Sequence, residues 1–149
     1  MLKAKDIMST EVTTVSPGTN VIQAARLLLE KHINGVPVVD EGNNLVGILC
    51  QSDLIAQQKK ISLPSLFTLL DGFISLTSTK TLEKEFKKIA AIKVSEAMTS
   101  DPVTVSPDTA LEEVATLMVN RGFHTIPVIK DNKLVGVIGK EDVLKTIIS

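Results

Sequence analysis

The sequence contains no tryptophan and no tyrosine, and its four aromatic residues are all phenylalanine. It has one cysteine, Cys50, and two histidines, His32 and His124. A single cysteine excludes an internal disulfide framework and a multi-cysteine metal site. Neither sign of charge dominates: 16 basic residues face 17 acidic ones. No global field therefore draws the chain to nucleic acid or to an anionic membrane. Long hydrophobic runs are also missing. The most apolar stretch, Leu63 to Leu76, is broken by Asp71-Gly72 and falls short of the ~20 residues that span a bilayer. The opening residues Met1-Leu2-Lys3-Ala4-Lys5-Asp6 lack the apolar segment of a signal peptide. A soluble cytoplasmic protein is the expectation.

What is present is aliphatic. Hydrophobic residues make up 44% of the 149, and most of them are Val, Ile, Leu and Ala, the mixture of strands packed against helices. They recur in register. Met8 returns as Met98, Thr14-Val15-Ser16-Pro17 as Thr104-Val105-Ser106-Pro107, Thr19 as Thr109, and Pro37-Val38 as Pro127-Val128, all at an offset of 90. One deletion in the turn after Asp40 changes the offset to 89, and Leu45-Val46-Gly47 then returns as Leu134-Val135-Gly136 and Asp53 as Asp142. Pro, Gly and Asp repeating in register mark a duplicated unit.

Each copy reads as strand, helix, strand, strand, helix. Thr19 and Thr109 are the expected helix N-caps, with Thr109 and Glu112 forming a capping box. Val21, Ala24, Ala25 and Leu28 then fall at helical spacing, as do Leu111, Val114, Ala115 and Met118. Two short apolar runs follow, Val36 to Val39 and Leu45 to Leu49, or Ile126 to Ile129 and Leu134 to Ile138, joined by a Gly/Asn/Asp turn as a hairpin. A last helix opens near Ser52-Asp53 and near Glu141-Asp142. The fold class is α/β (α+β): copies at 1–58 and 92–149 packed sheet to sheet in pseudo-two-fold symmetry, since neither buries its sheet well alone. Residues 59–91 form a helical connector, with helices expected over Leu63 to Leu76 and Thr81 to Ala91.

Asp53 and Asp142 each stand in the first turn of a helix just after a strand. A carboxylate there can accept from both hydroxyls of a ribose, and the helix N-terminus offers N–H groups to phosphate. The same residues serve equally as helix caps. Pro37 and Pro127 interrupt the ladder, freeing backbone groups around Ile33 to Val36 and Phe123 to Ile126 to read an adenine edge; protection of a sheet edge is the other reading.

The pattern Met-[Thr/Ser] … Thr-Val-x-Pro, then Pro-Val, then Leu-Val-Gly … Asp, in two copies over about 110 residues, resembles the cystathionine-beta-synthase (CBS) domain. The resemblance implies a regulatory module without catalysis, in which AMP, ADP, ATP or S-adenosylmethionine binds in clefts between the repeats and the pair dimerises. It implies no metal and no cofactor beyond the nucleotide as regulatory ligand. Each cleft then mixes the copies. One uses Ile48, Cys50, Ser52 and Asp53 with Met98, Asp101, Val103, Phe123 and His124, and Arg121 nearby. The other uses Val137, Gly139, Glu141 and Asp142 with Met8, Glu11, Thr13, Ile33, Asn34 and His32. Cys50 and Gly139 stand where the family usually carries Thr or Ser. Arg121 and His124 favour phosphate in the first cleft, while Glu11 and Glu141 repel it in the second.

Rival readings are weaker. Cys50 with His32 or His124 would be a thiolate pair, but a lone Cys closing an apolar strand is ordinarily a small core hydrophobe. The basic clusters Lys59-Lys60, Lys84 and Lys87-Lys88 are the solvated faces of helices. A structural dimerisation module with vestigial clefts is the main alternative. The partners expected are thus an adenine nucleotide, a second copy and an unidentified effector protein, with neither nucleic acid nor membrane.

Overall fold

The apolar stripe of the first copy is buried as its spacing predicts: Val21, Ala24, Ala25 and Leu28 point inward from helix α2, Val21–Lys31. The computed structural model describes residues 1–60 and 91–148. The expected connector helices lie outside the described residues, apart from Ala91. In the second copy the matching helix α5, Leu111–Arg121, fully buries only Val114. The hairpins form where expected, as β1 (Gly35–Val39) with β2 (Leu45–Cys50) and β4 (Thr125–Lys130) with β5 (Lys133–Gly139). Helices α3 (Gln51–Lys60) and α6 (Lys140–Ile148) follow directly.

Three expectations are corrected. Thr19 and Thr109 do not cap their helices. Each hydroxyl accepts from the backbone N–H of Ser16 or Ser106, at 3.2 and 3.0 Å, closing the turn around the proline and consuming the group a cap would need. The cap of α2 is Asn20, whose Oδ1 accepts from the Gln23 N–H at 2.8 Å; α5 starts from Ala110 with no side-chain cap, so the Thr109–Glu112 box is not formed. The opening strand of each copy is reduced to one parallel bridge, Val15 to Val38 and Val105 to Val128, because that turn ends the extended chain one residue later. Finally, the prolines do not break the ladder. Pro37 pairs opposite Ile48 and Pro127 opposite Val137, with the irregularity one step further on. The Pro37 carbonyl accepts from Val15 N–H and that of Pro127 from Val105 N–H, at 3.1 Å each. The missing donor therefore faces the one-bridge outer edge, where its loss costs no ladder bond.

The two copies exchange their opening segments. Helix α1, Ala4–Ile7, belongs by sequence to the first copy. Its backbone nevertheless bonds to the second: Ala4 N–H donates to Thr109 O at 2.8 Å and Lys5 N–H to Pro107 O at 2.9 Å. Ala4 is buried in the core of Val105, Val114, Ile126, Val128 and Ile138. Helix α4, Val94–Ala97, does the reverse. Val94 N–H donates to Thr19 O and Ser95 N–H to Pro17 O, and Val94 and Ala97 join the core of Val21, Leu28, Val36, Leu49 and Leu54. The chain after α4 forms strand β3, Thr99–Ser100, on the edge of β2, and Ser9 pairs with Val137 of β5 in the matching place.

Met98 and Met8 fasten the exchange. A Cβ on Gly47 would lie 2.5 Å from Met98 Sδ and 2.9 Å from the Thr99 carbonyl oxygen; on Gly136 it would lie 2.5 Å from Met8 Sδ and 3.0 Å from Ser9 O. Only glycine leaves room for the incoming segment. Gly47→Ala and Gly136→Ala should each lose about 1–3 kcal/mol of stability through this overpacking. Gly18→Ala, with nothing within 4 Å, should change it by less than about 0.5 kcal/mol. Urea denaturation checks all three, and equal effects at Gly18 and Gly47 would contradict the fastening role.

Candidate functional site

Because each opening segment is anchored on the other copy and must return to its own sheet, residues 9–15 and 99–105 cross between the copies. Each crossing closes one side of a cavity. The first cavity, of about 530 Å³, is bounded by the end of β2, the start of α3, the 99–103 crossing and residues 121–125. It brings together Ile48, Cys50, Ser52, Asp53, Asp101, Val103, Arg121, Phe123 and His124. The second, of about 280 Å³, gathers Glu11, Thr13, His32, Ile33, Asn34, Val137, Gly139, Glu141 and Asp142. Two residues stand apart from the grouping drawn from the sequence. Met98 and Met8 do not line the cavities but pack beneath them, on Gly47 and Gly136, as parts of the two cores.

Asp53 is the third residue of α3 and reaches back to its start: Oδ2 accepts from the Cys50 N–H at 2.8 Å. Asp142 repeats the bond, accepting from the Gly139 N–H at 2.8 Å. The capping reading is thus realised, and the bond fixes the orientation of each carboxylate. The other oxygen of Asp53 accepts from Thr99 Oγ1 at 3.3 Å, a long contact that a better donor in the cavity can replace. Arg121 lies over the Phe123 ring, 5.5 Å from its centroid, a cation–π contact that holds the guanidinium at the cavity edge.

Three of the backbone groups expected to read adenine are already engaged. Ile33 O accepts from Gln51 Nε2 at 3.1 Å, Asn34 O from Gln51 N–H at 3.0 Å, and His124 O from Lys140 N–H at 3.0 Å. These carbonyls tie the segments before β1 and β4 to the helix starts rather than standing free.

Charge is likewise more even than Glu11 and Glu141 alone imply. Lys140 and Lys145 also line the second cavity. It therefore holds three carboxylates and two lysines, while the first holds Asp53 and Asp101 with Arg121. Each carries one net negative charge, histidines aside. Lys145 lies three residues beyond Asp142, one turn along α6, and that spacing is the signal by which it could have been found. Thr99 could have been found as the neighbour of Met98.

Cys50 lies in the first cavity wall beside Gly35, whose Cβ would be 3.1 Å from its sulfur. Burial, and then the charge of Asp53, push its thiol up to about 11. Among the described residues no three His, Cys, Asp or Glu side chains are placed to hold a metal, and no helix is long and apolar enough to cross a membrane.

Comparison with known proteins adds the family. The CBS-domain family matches residues 4–60 and 94–149. The chloroplastic CBS domain-containing protein CBSX2 of Arabidopsis thaliana is 32% identical over 136 residues, covering 88% of this chain; the chain spans 56% of that relative's length. YlbB of Bacillus subtilis is 30% identical over 139 residues, covering 93% of this chain and 77% of YlbB. The crystal structure of CBSX2 in complex with AMP superposes with a TM-score of 0.75 at 28% identity, covering 99% of this chain and 97% of that one.

The raised Cys50 thiol has a measurable consequence. Against an ordinary value of 9.0, its thiolate fraction at pH 8 is lower by about 100-fold, and the thiolate is the reactive form. Alkylation by iodoacetamide should be correspondingly slow at pH 8 and rise steeply toward pH 11. The unfolded chain releases this proton near pH 9 while the folded chain keeps it, so stability should fall between pH 9 and 11. Cys50→Ala should abolish that part of the fall. An alkylation rate at pH 8 equal to that of a free thiol would contradict the assignment.

Proposed function

Because this chain belongs to the CBS-domain family, with two repeats in tandem, we propose that it is a non-catalytic sensor module that binds an adenine nucleotide in the cavities between its repeats. The observation that carries this reading is the duplicated carboxylate. Asp53 and Asp142 are each oriented by a backbone N–H at one oxygen; the other oxygen of Asp142 is left for a ribose hydroxyl, and that of Asp53 has only its long Thr99 contact to exchange for one. In the first cavity Ile48, Val103 and Phe123 offer apolar surface to the adenine ring, and Arg121 and His124 offer donors to phosphate. That the first is the main site is supported by its volume, near twice that of the second, rather than by net charge. The AMP complex of CBSX2 is in keeping with this ligand class. A cytoplasmic location accompanies this reading, in keeping with a single cysteine and no internal disulfide framework, and the regulated partner is an effector protein.

A homodimer accompanies this reading. The exposed apolar residues recur at equivalent positions of the two copies: Leu29 with Val119, and Ile55 with Leu144, joined by Ile147 and Ile148. A face repeated by internal symmetry suits a closed dimer. Light scattering should give about twice the 16.0 kDa chain mass, and Leu144→Glu should shift the mass toward the monomer. A monomeric wild type at high micromolar concentration is the contrary result.

Calorimetry with AMP, ADP, ATP and S-adenosylmethionine should give a dissociation constant between micromolar and sub-millimolar, about −5 to −8 kcal/mol. Asp53→Ala should remove most of the affinity and Asp142→Ala little. If Asp142→Ala proves the more damaging, the main site is misplaced; if no adenine ligand binds at millimolar concentration, the chain is a structural dimerisation module.

A further inference from the structure

The two cavities share a wall. Asn34, His124 and Thr125 line both of them, and Asn34 and His124 are the same position of the two copies, 90 residues apart. These three residues form the shared wall, and its repeat-related pair, Asn34 and His124, differs in chemistry.

Its backbone is pinned. Asn34 O accepts from the first N–H of α3 and His124 O from the first N–H of α6, each at 3.0 Å. Gly35 behind Asn34 has no slack, since a Cβ there would lie 3.1 Å from Cys50 Sγ and 3.5 Å from Thr125. A ligand in one cavity therefore reaches the other through side-chain orientation and charge, not through displacement of the wall. His124 is exposed, and a neutral imidazole carries one N–H donor. Turned to an anion on one side, it offers an acceptor nitrogen or a carbon edge to the other. Asn34 brings no charge.

Resting on the reading of both cavities as adenine sites, we propose that they are coupled through His124. A phosphate-bearing ligand in the first cavity captures the imidazole and weakens binding of a second phosphate-bearing ligand, whereas unphosphorylated nucleosides fill the cavities independently. His124 acts as a specificity-determining and coupling residue, and the module reports chiefly one nucleotide phosphate state per chain.

The test uses AMP and adenosine, which differ only by the phosphate. Titrating Asp142→Ala gives the intrinsic affinity of the first cavity and Asp53→Ala that of the second; the wild-type isotherm is then compared with their sum. With AMP the second step should be about tenfold weaker than the intrinsic second-cavity value, within the usual range of coupling. With adenosine the isotherm should match the sum within about twofold. In His124→Asn, paired with the same Asp variants, the AMP coupling should fall below about threefold. A wild-type AMP isotherm equal to the sum of the single-cavity variants overturns the coupling and leaves the site reading intact. Coupling that is equal for adenosine, or that survives His124→Asn, overturns the role given to phosphate and imidazole. Absence of binding in every protein overturns the site reading itself. A second readout does not depend on the Asp variants: in His32→Asn the one remaining imidazole is His124. Its ring proton signals should shift with the first equivalent of AMP and change little with adenosine; unchanged signals under AMP count against the proposal.

Discussion

The exchange of opening segments is the constraint from which the rest of the molecule follows. Neither copy closes its own core: Ala4 completes the second and Val94 with Ala97 completes the first. Met8 and Met98 sit where a Cβ on Gly136 or Gly47 would intrude, so each glycine is a socket for the other copy's methionine. The cost of a side chain there is steric and local, but its consequence is not. Displacing either opener would expose one copy's core and also remove the crossing segment that walls a cavity. Fold and site are therefore lost together, which is why both cavities mix residues from the two repeats.

The acidic residue at the start of each last helix has two tasks that do not compete. At the third helical position the carboxylate reaches back to the N–H ahead of the helix, and one oxygen suffices for that bond. Asp53 Oδ2 holds the Cys50 N–H at 2.8 Å, while Oδ1 makes only the 3.3 Å contact to Thr99. The cap bond fixes the rotamer that directs Oδ1 into the cavity. A ribose binding there gains from an orientation the folded protein has already adopted, which lowers the entropic cost of association.

The crossed composition of the clefts follows from the resemblance to the CBS domain, whereas the repeat, the hairpins and the helical stripes were legible in the sequence itself. The reason is that Pro, Gly and Asp recur in register and hydrophobic periodicity is local. What was not legible is non-local or competitive. A duplicated sequence does not say which core its opening segment joins, because both cores present the same aliphatic surface; the resemblance accordingly groups Met8 and Met98 with the cleft residues. Thr19 and Thr109 had two backbone partners within reach, and the turn around Pro17 and Pro107 won over the helix start. The prolines suggested a broken ladder because composition does not reveal which edge a missing N–H faces. Lys140 stands at an unspecified position of the motif and Lys145 beyond its end, and only the helical turn from Asp142 to Lys145 brings the second cation to the cavity.

Where the two copies differ is as informative as where they agree. The scaffold pairs are identical: Met8 and Met98, Gly47 and Gly136, Pro37 and Pro127, Asp53 and Asp142. The wall positions are not: Asn34 faces His124, Cys50 replaces Gly139, and Ser52 replaces Glu141. The matching helices also differ in burial, with Leu54 sealed in the first core and no residue of α6 fully buried in the second. Substitution at the methionine or glycine pairs would open both core and cavity, so those positions have little freedom. A wall residue touches mainly solvent or ligand, and can change without unfolding the chain. Divergence confined to the walls converts a symmetric duplication into two unlike cavities, of about 530 and 280 Å³. With the imidazole present only at the His124 side of the pseudo-dyad, the shared wall cannot serve both cavities alike, however symmetric the frame that holds it.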